Sequence, residues 1–158
     1  MKYFTWELLE RVSSLEPPIA AAAEPLWNQA CRDAAKELDA CRPYLSKNLH
    51  TLFCNGRFHD AYIDRLEIHP GRKGMDLLLH VIQEHGEERP FRGTFIHRNV
   101  TDFRCSSRFQ CFFQWNCLGD YLYSEIRREN ACIVHACLFG EDGEMEIHCQ
   151  KLLWQPEK

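Results

Sequence analysis

The 158-residue sequence predicts an α+β protein in which N-terminal helices pack on a C-terminal antiparallel β-sheet. Up to Asn55-Gly56, apolar residues recur every three or four positions, as on one face of a helix. After that point they alternate with polar residues, as along half-buried strands. The segment Gly140-Glu-Asp-Gly143 between the last two alternating runs is typical of a hairpin connection. We therefore expect a single domain, residues 1–158, with a helical part (1–56) and a β part (57–158) whose sheet is a meander, a curved sheet or a half-open barrel.

Three helices are predicted in the helical part. The first begins at Thr5, whose hydroxyl can accept an amide hydrogen of the first turn, and it ends before Pro17-Pro18. The second extends from about Pro25 to Arg42 with an apolar face rich in small residues, and the alanine run before it can add a turn. The third begins at Pro43 and ends at Asn55-Gly56, where both residue types tolerate the left-handed conformation.

The alternating segments predict the strands in order. The apolar phase slips between Ile63 and Leu66, which predicts a β-bulge in the first strand. Residues 105–118 are rich in aromatic residues and follow neither period, so we expect a crossover with one short helix or an irregular strand there. The predicted strands are His59–Ile68, Met75–Ile82, Phe91–Arg104, Asp120–Arg128, Ala131–Phe139 and Glu144–Trp154.

Composition excludes several classes of protein. The net charge of -4 and the scattered arginines argue against a nucleic-acid binder, which needs clustered positive charge. The longest apolar stretch, Pro17–Ala23, is too short to cross a bilayer, and charges at positions 7–11 interrupt any signal peptide. We expect a cytoplasmic protein whose nine cysteines are reduced, because their number is odd and no Cys-x-x-Cys pair occurs. No motif predicts a nucleotide or other cofactor.

Three segments of the sequence, taken together, carry a resemblance: Met1-Lys-Tyr-Phe-Thr, Phe58-His-Asp-Ala-Tyr-Ile63 and Tyr121-Leu-Tyr-Ser-Glu-Ile126. In this order they resemble the opening, the entry into the sheet and the closing segment of an uncharacterised bacterial family, domain of unknown function 4085. Residues 105–118 depart from the pattern of that family. The resemblance implies a fold type and no activity.

Candidate binding residues lie in three places. His59-Asp60 resembles a metal-chelating pair of phosphohydrolases, but at a helix-to-strand bend the favoured role is local hydrogen bonding. Tyr121, Tyr123 and Glu125 are predicted to share one face of a strand, and Trp154 ends the last strand; such aromatic residues suit partner recognition or simple packing.

The last hairpin supplies the candidate metal or catalytic residues. With Asp142-Gly143 as a two-residue turn, or with a four-residue loop, His135, Cys137 and His148 are expected on the outer face. Imidazole and thiolate groups together can bind zinc or form a nucleophile with its base. Val134, Ala136 and Leu138 are expected on the core face with Met145, Ile147 and Cys149.

Two classes of function follow. The favoured one is a non-catalytic binding or interaction module, with a protein partner that is immunity-like or regulatory among the possibilities. The alternative is a metal-dependent or Cys/His enzyme that uses His135, Cys137 and His148 of the hairpin.

Overall fold

The α+β prediction is confirmed by the computed structural model, which describes residues 1–59, 61–83, 90–106, 119–140 and 143–157. In this part of the chain all helices precede all strands. The helical elements are α1 (Trp6–Val12), α2 (Pro17–Cys41), a 3₁₀ turn (Arg42–Tyr44) and α3 (Lys47–Cys54). The strands are β1 (Ala61–Gly71), β2 (Gly74–Gln83), β3 (Phe91–Cys105), β4 (Gly119–Glu129), β5 (Cys132–Phe139) and β6 (Gly143–Pro156).

Hydroxyl caps and prolines determine where the helices begin. Thr5 caps α1 as predicted, with its hydroxyl accepting from the Leu8 amide. The predicted start of α2 at Pro25 is wrong, because Pro17 and Pro18 occupy the first turn, where a missing amide hydrogen costs nothing, and Pro25 lies inside the helix. Pro43 likewise belongs to the 3₁₀ turn, and α3 begins after Ser46, whose hydroxyl accepts from the Leu49 amide.

The six described strands form a closed antiparallel barrel in the order β1-β2-β3-β6-β5-β4. The sequence predicted a meander, a curved sheet or a half-open barrel, and the structure corrects this detail to a closed barrel. β3 and β6 are joined by a long ladder, whereas β1 and β4 close the ring with three pairs among the described residues, Ala61 with Tyr121, Tyr62 with Asp120 and Ile63 with Gly119. Full closure removes the exposed strand edges that an open sheet would carry.

Shifts of register set which side chains enter the barrel. The predicted bulge in β1 is present between Ile63 and Arg65. Unpredicted shifts lie between Met75 and Leu77, between Val100 and Asp102, and in β4 between Tyr121 and Tyr123. An extra residue in one strand inverts the alternation of side chains beyond it, so these two tyrosines lie on opposite sides of the sheet.

The hydrophobic core lies inside the barrel and continues into the helices. Phe95, Ile147 and Cys149 inside the barrel belong to one buried cluster with Leu45 and Leu49 of the helical part. A second cluster lies outside the barrel, where the N-terminal segment and α2 cover β4 and β5; its buried members are Phe4, Ala30 and Leu138. The helices therefore cover one outer face of the barrel and also contribute to its interior.

The second cluster explains why the predicted phase of β5 is wrong. Cys137 pairs with Met145 and His135 with Ile147, so His135 and Cys137 point into the barrel. Val134, Ala136 and Leu138 point outward, yet all three are fully buried, Leu138 beneath the N-terminal segment and α2. A strand that is covered on both faces carries apolar residues on both, and its alternation no longer tells the faces apart.

Two further predictions, a crossover at 105–118 and no segment that crosses a membrane, can be compared only with the described part of the chain. The predicted crossover at 105–118 falls outside the described residues except for Cys105, which ends β3, and Ser106. Among the described helices, none combines the length and the apolar character that crossing a bilayer requires.

Candidate functional site

A cavity of about 500 Å³ lies between α2, α3 and β4, and we call it the helix–barrel cleft. Its lining is mainly apolar and aromatic. The residues that line it are Phe4, Cys31, Ala34, Ala35, Leu38, Asp39, Phe53, Cys54, Gly56, Phe58, His59 and the β4 segment 121–126. This volume falls within the range of small-molecule sites in proteins.

The small side chains of α2 create the cleft. Cys31, Ala34, Ala35 and Leu38 recur at helical spacing and face β4 across the cavity. Because alanine and cysteine side chains are short, this stretch of α2 lies over β4 without filling the space between them. Short side chains on the cleft wall therefore leave room for another molecule.

Aromatic rings form the far wall of the cleft. Phe58, which is 2% exposed, contacts the rings of Phe53 and Phe95 at centroid distances of 5.0 and 4.6 Å. His59 and Tyr123 meet edge to face at 4.8 Å near the surface. These interlocked rings fix the shape of the wall, as a largely preformed site requires.

Glu125 lines the cleft, but its carboxylate is already engaged. One oxygen accepts from the amides of Tyr3 and Phe4 at 2.6 and 2.7 Å, and the other accepts from the Lys2 amide at 2.9 Å. The Arg127 guanidinium lies 3.4 Å away. The Glu125 carboxylate therefore holds the N-terminal segment against β4 through hydrogen bonds and partly neutralises the buried Arg127 guanidinium. Both roles are structural.

A chain of hydrogen bonds runs from the cleft wall into the barrel. The Tyr121 hydroxyl lies 2.8 Å from Nε2 of His135, whose Nδ1 lies 2.8 Å from Nε2 of His97. Nδ1 of His97 lies 3.1 Å from the Leu77 carbonyl oxygen. Because a carbonyl can only accept, the tautomers are assigned in sequence: His97 donates to Leu77, His135 donates to His97, and Tyr121 donates to His135.

Burial keeps the three side chains of this hydrogen-bond chain, His97, His135 and Tyr121, neutral. It lowers the pKa of His97 to about 4, against a smaller raising effect of the hydrogen bond to Leu77. It lowers the pKa of His135 well below the ordinary value, and the neighbouring His97 adds to that effect. It also raises the pKa of Tyr121 far above the ordinary value, with a further contribution from Cys137 and an opposing hydrogen bond from Ser124. The chain is a neutral, fully satisfied buried network.

Four of the six predicted binding residues line the cleft together. They are His59, Tyr121, Tyr123 and Glu125. The bulge in β4 overturns the prediction that the two tyrosines and Glu125 share one strand face: Tyr121 points into the barrel, and Tyr123 packs on its outside against Phe4. All three still reach the cleft, because it lies beside the bulge.

The other two predicted binding residues do not contribute to the cleft. Trp154 packs on Phe58 and Phe95 at centroid distances of 5.0 and 4.9 Å and belongs to the wall of the core. Asp60 lies outside the described residues.

The structure separates the predicted metal residues of the last hairpin. His135 and Cys137 are buried inside the barrel, and burial strongly raises the pKa of the Cys137 thiol. His148 lies on the outer face, with Nε2 2.7 Å from Glu146. Burial alone would raise the pKa of Glu146, but hydrogen bonds from His148 and Arg127 outweigh it and lower this pKa to about 2. Because the sheet lies between His148 and the other two residues, the three cannot hold one metal ion.

Sequence reasoning missed two groups. His97 completes the buried chain, and no local pattern in β3 marks it. Asp39, His50 and Cys54 form a cluster at the cleft, with ligand atoms within 4.8 Å of one another. The four-residue spacing of His50 and Cys54 on one helix could have revealed that pair, whereas Asp39 joins it only through the packing of α2 on α3.

Comparisons with family models, with curated proteins and with solved structures give no match to this chain. The resemblance to domain of unknown function 4085 stays a prediction.

Proposed function

We propose that this protein is a binding protein for a small, mainly apolar molecule that occupies the helix–barrel cleft. The observation that carries the proposal is the cleft itself, with a volume of about 500 Å³ and a lining of short aliphatic side chains and aromatic rings. Sites for small molecules are typically concave, mostly apolar and furnished with a few polar groups. The proposal narrows the binding module that the sequence favours to one class of ligand.

The polar groups of the cleft suit one hydrogen-bonding end on the ligand. Ser124 contributes a hydroxyl, which also bonds Tyr121, and His59 contributes an imidazole. Asp39 contributes an exposed carboxylate, one oxygen of which lies 3.1 Å from Nε2 of His50. Glu125 is occupied by main-chain amides and adds no free carboxylate. An apolar body with a single polar end therefore complements the cleft better than a polyanion or a sugar does.

The rival enzyme hypothesis loses its basis in the hairpin. It required His135, Cys137 and His148 to share one face, and His148 lies on the opposite side of the sheet from the other two. An immunity-like or regulatory protein partner stays a prediction of the sequence.

Binding of the fluorescent apolar probe 1-anilinonaphthalene-8-sulfonate tests the proposal. We expect one saturable site in the native protein, measured by fluorescence titration. Ala35→Phe places a ring in the cleft and should weaken binding by about tenfold or more, which corresponds to about 1.4 kcal/mol. Ala40→Phe on the same helix is the matched control, because Ala40 is exposed and does not line the cleft.

Both variants are first compared with the native protein by circular dichroism melts, so that binding is measured on folded protein. Absence of saturable binding to the native protein, or equal losses in the two variants, would contradict the proposal.

A further inference from the structure

We propose that Asp39, His50 and Cys54 form a divalent-metal site, best suited to zinc, at the edge of the helix–barrel cleft. Asp39 comes from the last turn of α2, and His50 and Cys54 come from α3. The three side chains offer one carboxylate oxygen, one imidazole nitrogen and one thiolate sulfur, each of which is an ordinary zinc ligand. This inference goes beyond the binding of an apolar molecule and does not rest on it.

Two of the three distances between the ligand atoms are close to those of a tetrahedral site, and the third, from Asp39 to Cys54, is within 4.8 Å. Nε2 of His50 lies 3.1 Å from Oδ1 of Asp39 and 3.8 Å from Sγ of Cys54. With zinc bonds of about 2.0 Å to nitrogen and oxygen and about 2.3 Å to sulfur, tetrahedral ligands lie about 3.3 Å (nitrogen to oxygen) and about 3.5 Å (nitrogen to sulfur) apart. Both observed separations are within about 0.3 Å of these values.

The surroundings allow the site to close on an ion. His50 is the most enclosed ligand, with 12% of its side chain exposed, and its position between α2 and α3 fixes the ring. The Asp39 side chain is 69% exposed and can turn toward the ion at little cost. Asp39 and Cys54 also line the cleft, so a fourth coordination position would face that cavity, as in zinc sites that keep one position for water or another ligand.

The same cluster contains the residue types of a Cys–His–Asp catalytic triad, but the thiol is not in line with either ring nitrogen. Sγ of Cys54 lies 3.6 Å from Nδ1 of His50 and 3.8 Å from Nε2. A thiol in line with one ring nitrogen would be about 2 Å farther from the other, because the two nitrogens are separated by the ring. The sulfur therefore lies beside the ring, and the exposed Cys54 side chain has to turn either for proton transfer to one nitrogen or for a metal bond shared with Nε2.

Titration of the metal-free protein with Co²⁺, and then with Zn²⁺ in competition, tests the site. Cobalt bound to a thiolate gives a charge-transfer absorption, and we expect one equivalent per chain with zinc displacing it. Cys54→Ser should abolish that absorption. His50→Gln and Asp39→Asn should each weaken zinc binding by more than about tenfold, the least that loss of even an outer partner costs. Cys31→Ser is the matched control, because Cys31 is an exposed cysteine that lines the same cleft.

Alkylation of Cys54 by iodoacetamide, located by peptide mass spectrometry, gives a second readout that needs no spectroscopic metal. Zinc should slow the modification of Cys54 and leave that of Cys31 unchanged. Absence of metal binding, binding that survives all three ligand variants, or binding that Cys31→Ser removes would overturn the proposal. Rapid alkylation of Cys54 that depends on His50 and ignores zinc would also overturn it and would assign the pair to nucleophilic chemistry.

Discussion

Acidification from pH 7 to pH 5 should destabilise this protein through the two histidines inside the barrel. Burial lowers the pKa of His97 to about 4 and that of His135 well below its ordinary value. In the unfolded chain both groups titrate near 6.5. At pH 5 the unfolded chain therefore binds protons that the folded protein does not, and stability falls as the pH falls.

The size of the effect follows from the pKa of His97. Between pH 7 and pH 5, a group with a pKa of about 6.5 in the unfolded chain and about 4 in the fold contributes a loss of about 2 kcal/mol. His135 adds to the loss in the same direction. Glu146, with a pKa near 2 in the fold, begins to contribute only as the pH falls through the ordinary range of carboxyl groups, so the histidines dominate above pH 5.

Urea unfolding followed by circular dichroism at pH 7, 6 and 5 measures the loss. His97→Gln removes the titrating group and keeps a side chain that forms hydrogen bonds, so its pH 7-to-5 difference should be smaller by about 2 kcal/mol. His69→Gln is the control, because the His69 side chain is half exposed on β1 and lies outside the barrel interior. The reasoning would be refuted by a native loss below about 1 kcal/mol, or by an unchanged difference in His97→Gln.

Further predictions concern the two faces of the sheet and the thiols. In urea melts, Ile147→Asp should unfold or severely weaken the protein, since it buries a carboxylate in the barrel, whereas His148→Asn should change stability by less than about 1 kcal/mol; the reverse order would contradict the register of β6. Val134→Asp should be comparably damaging, and a mild effect would show that the outer face of β5 is open to solvent. Tyr121→Phe leaves Nε2 of His135 without its donor and should cost about 1–3 kcal/mol, so unchanged thermal unfolding would contradict the hydrogen-bond chain. Alkylation under denaturing, non-reducing conditions should label all nine cysteines, as the seven free thiols among the described residues lead us to expect, and a retained disulfide seen by mass spectrometry would contradict this.

The sequence predicts the fold class because its strongest signals are local. The change of period at Asn55-Gly56 coincides with the end of α3 at Cys54, and Gly56 adopts the positive φ of 62° that the change of direction requires. The proline pair misleads, since Pro17-Pro18 can end one helix or begin the next, and only the absence of a break at Pro25 decides between them. Closure of the barrel depends on the pairing of β1 with β4, which lie far apart in the chain, and no local pattern predicts it.

The candidate site is only partly predictable for a related reason. Four of the binding residues proposed from sequence do line the cleft. The sequence shows which residue types each element carries, but it does not show that α2 and β4 lie side by side. The phase of Tyr121 relative to Tyr123 depends on a bulge, and the phase of β5 depends on which elements cover it; both are tertiary effects. The cluster of Asp39 with His50 and Cys54 likewise arises only when α2 and α3 meet.

The junction between β1 and β4 closes the ring of strands. Among the described residues it contains three pairs, against eleven between β3 and β6, so we expect local opening to start there and to expose amides that are protected elsewhere. Tyr121 belongs both to this junction and to the wall of the cleft, and Phe58 and His59 lie immediately before it in the chain. A molecule bound in the cleft would therefore contact both sides of the junction, stabilise the closed barrel and slow deuterium uptake at residues 61–63 and 119–121. Occupancy of the cleft could then be measured as a change in the frequency with which the barrel opens.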